Sequence, residues 1–536
     1  MDAGTRKLLT DAARFGRKRP ASGREGIAVT SHPVATRIAT DTLRAGGNAV
    51  DAALAASVAQ TVVEPHMTTL CGVLSMLHYD ARTGETTYLN GSMNRPAALT
   101  SFAAADIPTA RSVAVPGFWA AFEAALERHG TQPKSELVAP AIELAEEGFE
   151  VYPFLYGMAF EHIGTLGRYA GGREVFFPDG HLIDPGEVLR QPRLAETLTQ
   201  LVDKGNEHFY RGAFAQRMVE TVQAAGGVLT RQDLEDYEVR WEEPARGTYR
   251  GYDVLGSPPP DRGGTHVIEI LNLLEQIPLH EWGPPTESAD TLYWMTRFCG
   301  EVYLDGFAQR DPRDFHVPLD LITSKEHAAR RFELMRMTEP RATGTPPYPG
   351  SNHVTVVDKD GSIASVLHSV MSLPWSNGLY VDGVPLWAGA VHFLGNLPKA
   401  GGRGSCFVAP TIVLEDGVPV LTAGSPSQGL IQNIVQNTVN VLDFGVDVET
   451  SVHTPRFGGP RSIEGLLGGV QGAPAYACEA DLDEALRDEV GRRGIQLDVV
   501  NPWNFHMGSY EGVHLVDGVG HACADPRRAG AAEAVT

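Results

Sequence analysis

Cysteine is scarce in this sequence, and its five copies lie too far apart to form a known metal or redox motif. They are Cys71, Cys299, Cys406, Cys478 and Cys523, and no C-x-x-C occurs. An odd, scattered set argues against both a disulfide framework and a zinc knuckle. The sequence therefore predicts reduced thiols.

Basic charge and long apolar runs are also lacking. Lys and Arg total 44 against 66 Asp and Glu, a net charge of −22, which disfavours binding along a phosphate backbone. No apolar run is long enough to cross a bilayer, and the first twenty residues hold basic side chains without the apolar segment of a signal peptide. We therefore predict a cytoplasmic protein that binds neither nucleic acid nor a membrane.

Several common catalytic signatures are absent as well. The chain holds no G-x-S-x-G, no H-E-x-x-H, no P-loop and no G-x-G-x-x-G after a strand. We accordingly expect no cofactor and no metal. With 43% hydrophobic and 21% charged residues, the chain has the composition of an ordinary globular protein.

The most informative stretch runs from Gly350 to Val370 and reads GSNHVTVVDKDGSIASVLHSV. Two runs of β-branched and small residues flank the turn residues Asp358 to Gly361, which predicts a β-hairpin. If the loop is residues 359–361, cross-strand partners sum to 720 and Ser351 lies opposite Ser369. The two hydroxyls would then share one face of the hairpin.

The sequence SNHVTVVDKDG at 351–361 resembles the start of the small subunit of the γ-glutamyltranspeptidase family. AGGNAVDAALAASVAQTVVEPHM at 45–67 and the triple-proline loop at 258–260 resemble other segments of that family. The resemblance runs from about Gly26 to Arg528. It implies an α+β fold, the four-layer αββα sandwich of N-terminal-nucleophile hydrolases, with helices packed on both faces of two stacked sheets.

The resemblance also implies how the chain is organised. Residues 25–350 are expected to be a large-subunit segment, and 351–536 a small-subunit segment released by self-cleavage between Gly350 and Ser351. The two segments are expected to stay associated in one core. The charged and turn residues of segment 1–24, which offer little to bury, separately predict a mobile leader. The Pro-rich stretch at 340–349 suits a flexible linker before the cleaved bond.

Ser351 takes the position of the family's catalytic residue, which is usually threonine. A free α-amine with a reference pKa of about 7.7–8.0 can act as the base for the hydroxyl on the same residue. Ser369 is expected to orient this nucleophile. Because serine lacks the methyl that restricts χ1, self-cleavage could be slower than with threonine. A Ser351–His353 catalytic pair is the alternative, with a structural histidine favoured.

The sequence GSPSQG at 424–429 occupies the place of the family's Gly-Ser-Pro-Gly-Gly loop. The resemblance implies that the main-chain N–H groups of Ser427 and Gln428 form the oxyanion hole at the start of a helix. Backbone donors in such a position stabilise a developing alkoxide. Both family glycines are replaced here.

The residues that would bind substrate depart most from the family. By position, the arginine for the substrate α-carboxylate falls at Ser92, with Arg95 three residues on, and an asparagine falls at Met371. The family's acidic residue lands near His392, and its paired serines become Cys406 and Phe407. A buried amino-acid zwitterion without charged partners costs several kcal/mol, so we expect free γ-glutamyl compounds to be poor substrates. For Met371 and Phe407 taken singly, core packing is the simpler interpretation.

The leading hypothesis is an enzyme that hydrolyses a small-molecule amide, or transfers its acyl group to water or an amine, through an ester on Ser351. One alternative is a relative with non-glutamyl specificity, for an oxamate-like amide or a carbon–carbon bond next to a carbonyl in specialised metabolism. A second alternative is an unprocessed binding homologue without catalysis.

Overall fold

A computed structural model describes residues 1–305, 310–340, 350–370, 374–427, 429–460 and 475–536. Its strands are β1 Pro20–Gly23, β2 Gly26–Thr30, β3 Val73–Asp80, β4 Glu85–Gly91, β5 Phe149–Glu150, β6 Val188–Leu189, β7 Arg240–Glu242, β8 Ala245–Tyr249, β9 Tyr252–Gly256, β10 Ser351–Asp358, β11 Ile363–Ser369, β12 Tyr380–Val381, β13 Val384–Pro385, β14 Thr411–Glu415, β15 Val418–Ala423, β16 Phe457–Pro460, β17 Ala475–Glu479, β18 Gln496–Val500, β19 Val513–Val516, β20 Val519–Cys523 and β21 Ala531–Ala534.

The α-helices are α1 Ala3–Asp11, α2 Pro33–Arg44, α3 Ala49–Val63, α4 Phe118–His129, α5 Lys134–Glu147, α6 Pro153–Glu161, α7 Ile163–Leu166, α8 Ala170–Phe176, α9 Pro192–Asn206, α10 Ala213–Ala224, α11 Arg231–Glu235, α12 Gly263–Leu274, α13 Leu279–Trp282, α14 Ala289–Asp305, α15 Leu319–Ile322, α16 Lys325–Arg336, α17 Leu430–Leu442, α18 Val448–His453 and α19 Glu484–Arg492.

Two seven-stranded sheets form the centre of the molecule. Sheet I has the strand order β1-β20-β19-β15-β14-β9-β8, and sheet II has the order β21-β2-β10-β11-β3-β4-β7. Each sheet takes strands from both sides of the Gly350–Ser351 bond. Neither segment alone could therefore complete either sheet.

Helices cover the outer face of each sheet. Helices α2, α3 and α4 pack on sheet II, and α12 and α17 pack on sheet I. Between the sheets lies an apolar layer that includes Ile27, Leu77, Leu255, Val357 and Ile412. All eight residues of β10 are buried, as expected for a strand with both faces covered. The predicted four-layer αββα sandwich is confirmed.

Helix α3 is the central element of the layer on sheet II. Asn48 and Asp51 form a reciprocal capping box at its start, and all of its residues are buried. Small alanine side chains allow this close approach on every side. The helix ends at Glu64, just before Pro65, and this places a carboxylate beside β10.

The first residues of the chain carry secondary structure, although the sequence offers little there to bury. In α1, Arg6 pairs with Glu147 at 2.5 Å and Lys7 with Glu150 at 2.6 Å. Strand β1 pairs antiparallel with β20 at the edge of sheet I. Ion pairs and strand pairing therefore hold this segment, together with apolar contacts such as the buried Ala13 and the Phe15 ring against Phe154.

Among the described residues, no helix combines the length and the apolar character that a membrane crossing requires.

Candidate active site

The hairpin of β10 and β11 sets the position of the two hydroxyls. Ser351 pairs with Ser369, and every pair from there to Val357 and Ile363 keeps the sum of 720 that the turn predicts. Asp358 fixes the turn, because its Oδ1 accepts hydrogen bonds from the backbone N–H of Asp360 (3.1 Å) and Ser362 (3.0 Å). The predicted register is confirmed.

The Ser351 and Ser369 hydroxyls are in direct contact. Their Oγ atoms lie 2.8 Å apart, and Ser369 Oγ also donates a hydrogen bond to the carbonyl oxygen of Gly350. A hydroxyl has one proton to donate, so with that proton on Gly350 it accepts the proton of Ser351. The arrangement orients the Ser351 oxygen and polarises the carbonyl of the bond before it.

His353 has a different partner. Its Nε2 lies 3.0 Å from Ser365 Oγ, and burial lowers the pKa of His353 to about 3. The ring lies against Gly424, where an added Cβ would come within 2.0 Å of Nε2. The structure thus gives His353 a packing role beneath the loop at 424–429 and supports the favoured structural interpretation.

In the loop at 424–429, Ser427 keeps a backbone conformation that favours glycine. Ser427 has φ of 76°, a left-handed conformation that costs a non-glycine residue roughly 1–2 kcal/mol. Ser425 anchors the loop, because its Oγ accepts from Asn433 Nδ2 (2.8 Å) on α17 and from the Ser509 N–H (3.1 Å). Gln428 lies outside the described residues. The Gly429 N–H donates to His506 O at 3.1 Å, so it is already used.

Two charged residues beside Ser351 were not assigned to the site from the sequence. Arg528 Nη2 donates to the Ser351 carbonyl (3.2 Å) and to Asn352 Oδ1 (2.8 Å), and it lies 3.4 Å from Glu64 Oε1. Both side chains are fully buried. One sequence signal was available, because Glu64 is the first charge after twelve uncharged residues of α3.

Ser92, predicted to stand where the family has its arginine, is already engaged. Ser92 Oγ donates to Asp261 Oδ1 at 2.7 Å, while Tyr88 OH (2.7 Å) and Ser75 Oγ (3.0 Å) donate to Asp261 Oδ2. Burial raises the pKa of Asp261, against the effect of these donors and of Arg403. We call Ser75, Tyr88, Ser92, Asp261 and Arg403 the Asp261 cluster.

The other residues predicted to bind substrate also have partners within the protein. Arg95 Nε donates to Leu99 O at 2.6 Å, and its Nη1 donates to Pro398 O. Cys406 Sγ lies 3.4 Å from Met93 Sδ. His392 is half-buried in the 3-10 helix at residues 389–393, and Met371 lies outside the described residues.

Arg262, on the turn after the triple-proline loop, is buried. Only 3% of it is exposed, and its guanidinium carbon lies 4.2 Å from the centre of the Phe407 ring. A guanidinium over an aromatic face is a favourable cation–π contact. Phe407 therefore packs on Arg262, in agreement with the simpler interpretation of Phe407 as a packing residue.

The comparisons with known proteins agree with this geometry. The family model "Gamma-glutamyltranspeptidase" matches residues 35–535. The glutathione hydrolase proenzyme of Bacillus subtilis (strain 168) is 29% identical over 488 residues, with 81% of this chain and 80% of the relative covered. The acylase ACY 1 proenzyme of Pseudomonas sp. (strain SE83) is 28% identical over 521 residues, with 90% and 91% covered. The crystal structure of cephalosporin acylase from Bacillus halodurans superimposes with a TM-score of 0.86 at 25% identity, over 97% of this chain and 98% of that one.

A four-layer αββα sandwich with a hydroxyl residue opening a central strand defines the class of N-terminal-nucleophile hydrolases. Within that class, the chain belongs to the γ-glutamyltranspeptidase family. It is an enzyme of the hydrolase and acyltransferase type that acts on small molecules, and the family's precursors process themselves into two chains.

Proposed function

We propose that Ser351 is the nucleophile of this enzyme and that the chain cleaves itself between Gly350 and Ser351. The observation that carries the proposal is the chain of contacts from Ser351 Oγ to Ser369 Oγ and on to the Gly350 carbonyl. The Ser351 hydroxyl and the Gly350 carbonyl are the two groups that would react, and the Ser369 hydroxyl orients both.

In self-cleavage, Ser351 Oγ attacks the Gly350 carbonyl carbon, and the bond from that carbon to the Ser351 nitrogen breaks. The proton of the hydroxyl ends on the nitrogen, which becomes the α-amine, and an ester joins the two segments. Water then hydrolyses the ester and leaves a Gly350 carboxylate. Ser369 supports the first step because it donates to the oxygen on which negative charge develops.

In turnover, the free α-amine of Ser351 takes the hydroxyl proton as the oxygen attacks the substrate amide. That proton passes to the leaving amine, and water or an amine acceptor then releases the acyl group from Ser351. We propose that the backbone N–H groups at 427 and 428 bind the oxyanion in both steps. The left-handed backbone at Ser427 supports this role.

We further propose that γ-glutamyl compounds are poor substrates. In the family, an arginine receives the substrate α-carboxylate, whereas here Ser92 donates its hydroxyl to the buried carboxylate of Asp261. A second carboxylate near Asp261 would be repelled rather than bound.

The second candidate function is hydrolysis of a non-glutamyl acyl amide. It is supported by the two acylases, which match 90% and 97% of this chain. An oxamate-like amide, or a carbon–carbon bond next to a carbonyl, remains a narrower form of this hypothesis.

A panel of chromogenic anilides tests both statements. The purified, cleaved enzyme is assayed with γ-glutamyl p-nitroanilide and with p-nitroanilides of neutral and dicarboxylic acyl groups. We expect kcat/KM to be lowest for the γ-glutamyl compound. Turnover of that compound above all the others would contradict the specificity proposal.

A cytoplasmic location stays a prediction from the sequence. Fractionation of source cells followed by immunoblotting of the small segment would test it.

A further inference from the structure

A continuous buried hydrogen-bonded chain lies on the helix side of β10 and β11. Thr68 Oγ1 contacts His368 Nδ1 (3.0 Å), and His368 Nε2 contacts Gln60 Oε1 (3.1 Å). Gln60 Nε2 donates to Glu64 Oε2 at 2.9 Å, and Glu64 Oε1 faces Arg528. The chain therefore links α3 and β11 to the arginine that holds the nucleophile's carbonyl.

The protons along this chain have defined positions. The amide oxygen of Gln60 only accepts, so His368 Nε2 carries the hydrogen and Nδ1 accepts from Thr68. Burial lowers the pKa of His368 to about 3, and the ring is neutral in the working range. The side-chain amide of Gln60 thus accepts from His368 and donates to Glu64.

Arg528 connects this hydrogen-bonded chain to Ser351. The same guanidinium donates to the Ser351 carbonyl and to Asn352 Oδ1, and its Nη1 lies 3.4 Å from Ser427 Oγ. It therefore touches both the strand that carries the nucleophile and the loop assigned to the oxyanion hole. A shift of Arg528 would move the two relative to each other.

We propose that the Glu64–Arg528 pair is a positioning device for the reaction at Ser351, and that it holds the nucleophile and the 427 loop in register only while Glu64 is ionised. The inference rests on the proposed role of Ser351. It assigns no chemical step to either residue, because neither one contacts the reacting oxygen.

The surroundings of the pair favour Glu64 as the group that titrates. Burial, against the charge of Arg528, raises the pKa of Glu64 to about 7. Other titratable groups face the pair from neighbouring segments. Burial lowers the pKa of His32 to about 3, lowers the pKa of His66 and raises the pKa of Tyr152, so these three are neutral there.

Glu511 is the remaining carboxyl that faces Arg528, and its pKa is also raised by burial. Its Oε1 instead accepts from Ser509 Oγ (2.6 Å) and Ser31 Oγ (3.1 Å). Glu511→Gln is therefore the matched control for a carboxyl that faces Arg528 without the contact to it.

Self-cleavage is the sharpest readout, because the α-amine does not yet exist and its titration cannot contribute. Full-length chain is made by cell-free translation, and its conversion into two bands is followed between pH 5.5 and 8.5. As the pH rises through about 7, Glu64 loses its proton and pairs with Arg528, so the wild-type rate should rise over this range.

The double variant Glu64→Gln/Arg528→Gln removes both charges and leaves no unpaired ion in the interior. We expect it to melt near the wild-type temperature but to cleave about tenfold to a hundredfold more slowly, without the rise near pH 7. Glu511→Gln should keep the rise. If the pair served stability alone, the double variant would cleave at the wild-type rate as long as it melts near the wild-type temperature.

Arg528→Lys covers the case in which the double variant does not fold. Lysine keeps the charge beside Glu64 but has no planar fork to reach two acceptors, so cleavage should slow at an unchanged melting temperature. Wild-type cleavage in Arg528→Lys, or loss of the pH dependence in Glu511→Gln, would overturn the inference. Failure of the wild-type chain to cleave would instead overturn the proposed function.

Discussion

The Ser351 end of the β10–β11 hairpin lies in sheet II, and the Asp261 cluster joins β3 and β4 of that sheet to the loops that carry Asp261 and Arg403. We propose that these two regions have departed from the family pattern to different extents. At the hairpin, serine replaces threonine and the Ser351–Ser369 contact remains at 2.8 Å. In the Asp261 cluster, Ser92, which we predict to stand at a substrate-binding position of the family, donates to a carboxylate of the protein itself. We infer from this difference that the machinery for breaking an amide is kept while the site for recognising the substrate has been rebuilt.

The largest effect is expected from Ser351→Ala. Without the hydroxyl the chain should stay a single band and show no turnover above background. Ser362→Ala is a matched control on the same hairpin, because Ser362 lies at the far end and its Oγ accepts from the Ala81 N–H at 3.1 Å. Activity in Ser351→Ala would show that Ser351 is not the nucleophile and that the hairpin has not kept the catalytic machinery.

Ser369→Ala should slow both self-cleavage and turnover by about a hundredfold, since it removes the donor to the Gly350 carbonyl and the partner of Ser351. Band conversion on a denaturing gel and kcat of the cleaved enzyme measure the two effects. Unchanged rates in a folded variant would limit Ser369 to packing.

A pair of substitutions tests whether recognition was lost through the Asp261 cluster. Ser92→Arg alone should give no gain, because the new guanidinium would pair with Asp261. Ser92→Arg with Asp261→Ser gives the position predicted for the family's arginine that residue and removes the competing carboxylate, and we expect KM for γ-glutamyl p-nitroanilide to fall by about tenfold. Equal KM values in the single and double variants would show that the binding loss has another origin.

Glu242 gives a stability test within the same region. Burial raises the pKa of Glu242 to about 7, and its Oε2 accepts from Asn90 Nδ2 at 3.1 Å. A raised carboxyl pKa contributes stability at low pH that is lost as the pH rises through about 7. Because Glu242 is half-buried, Glu242→Gln should raise the free energy of unfolding at pH 8 by about 1–2 kcal/mol.

Urea unfolding at pH 5.5 and 8 measures this effect. The difference between variant and wild type should shrink at the lower pH, where Glu242 is protonated. An equal difference at both pH values would contradict the assignment of the titration to Glu242.

The smallest effect is expected from Ser427→Gly. Glycine adopts the left-handed φ of 76° without a side-chain clash, but it gains entropy in the unfolded chain. We expect a net stabilisation of about 1 kcal/mol or less, measured by urea unfolding. We expect steady-state activity to fall by less than about fivefold, because Arg528 loses its long contact to Ser427 Oγ but keeps its contacts to Ser351 and Asn352. A large loss of activity would show that the Ser427 side chain, not its backbone, serves the reaction.

Local patterns in the sequence account for much of the fold. The turn at Asp358–Gly361 fixes the hairpin register, and the Asn48–Asp51 capping box marks the start of α3. The layer architecture followed from the family resemblance, which spans nearly the whole chain.

Contacts between distant segments could not be predicted in the same way. Arg528 reaches Ser351 across 177 positions, and Ser92 reaches Asp261 across 169. Nothing in the local sequence of Arg262 distinguishes a buried cation over Phe407 from an exposed one, because the aromatic partner comes from another loop. Such partners depend on the packing of the two sheets.

The central claim is that Ser351 becomes the first residue of a new chain. Intact-mass measurement and N-terminal sequencing of active enzyme test it most directly. We expect two polypeptides of 350 and 186 residues from the 536-residue chain, the smaller one beginning Ser-Asn-His. An active sample that contains only the 57.7 kDa chain, or a new terminus elsewhere, would contradict it.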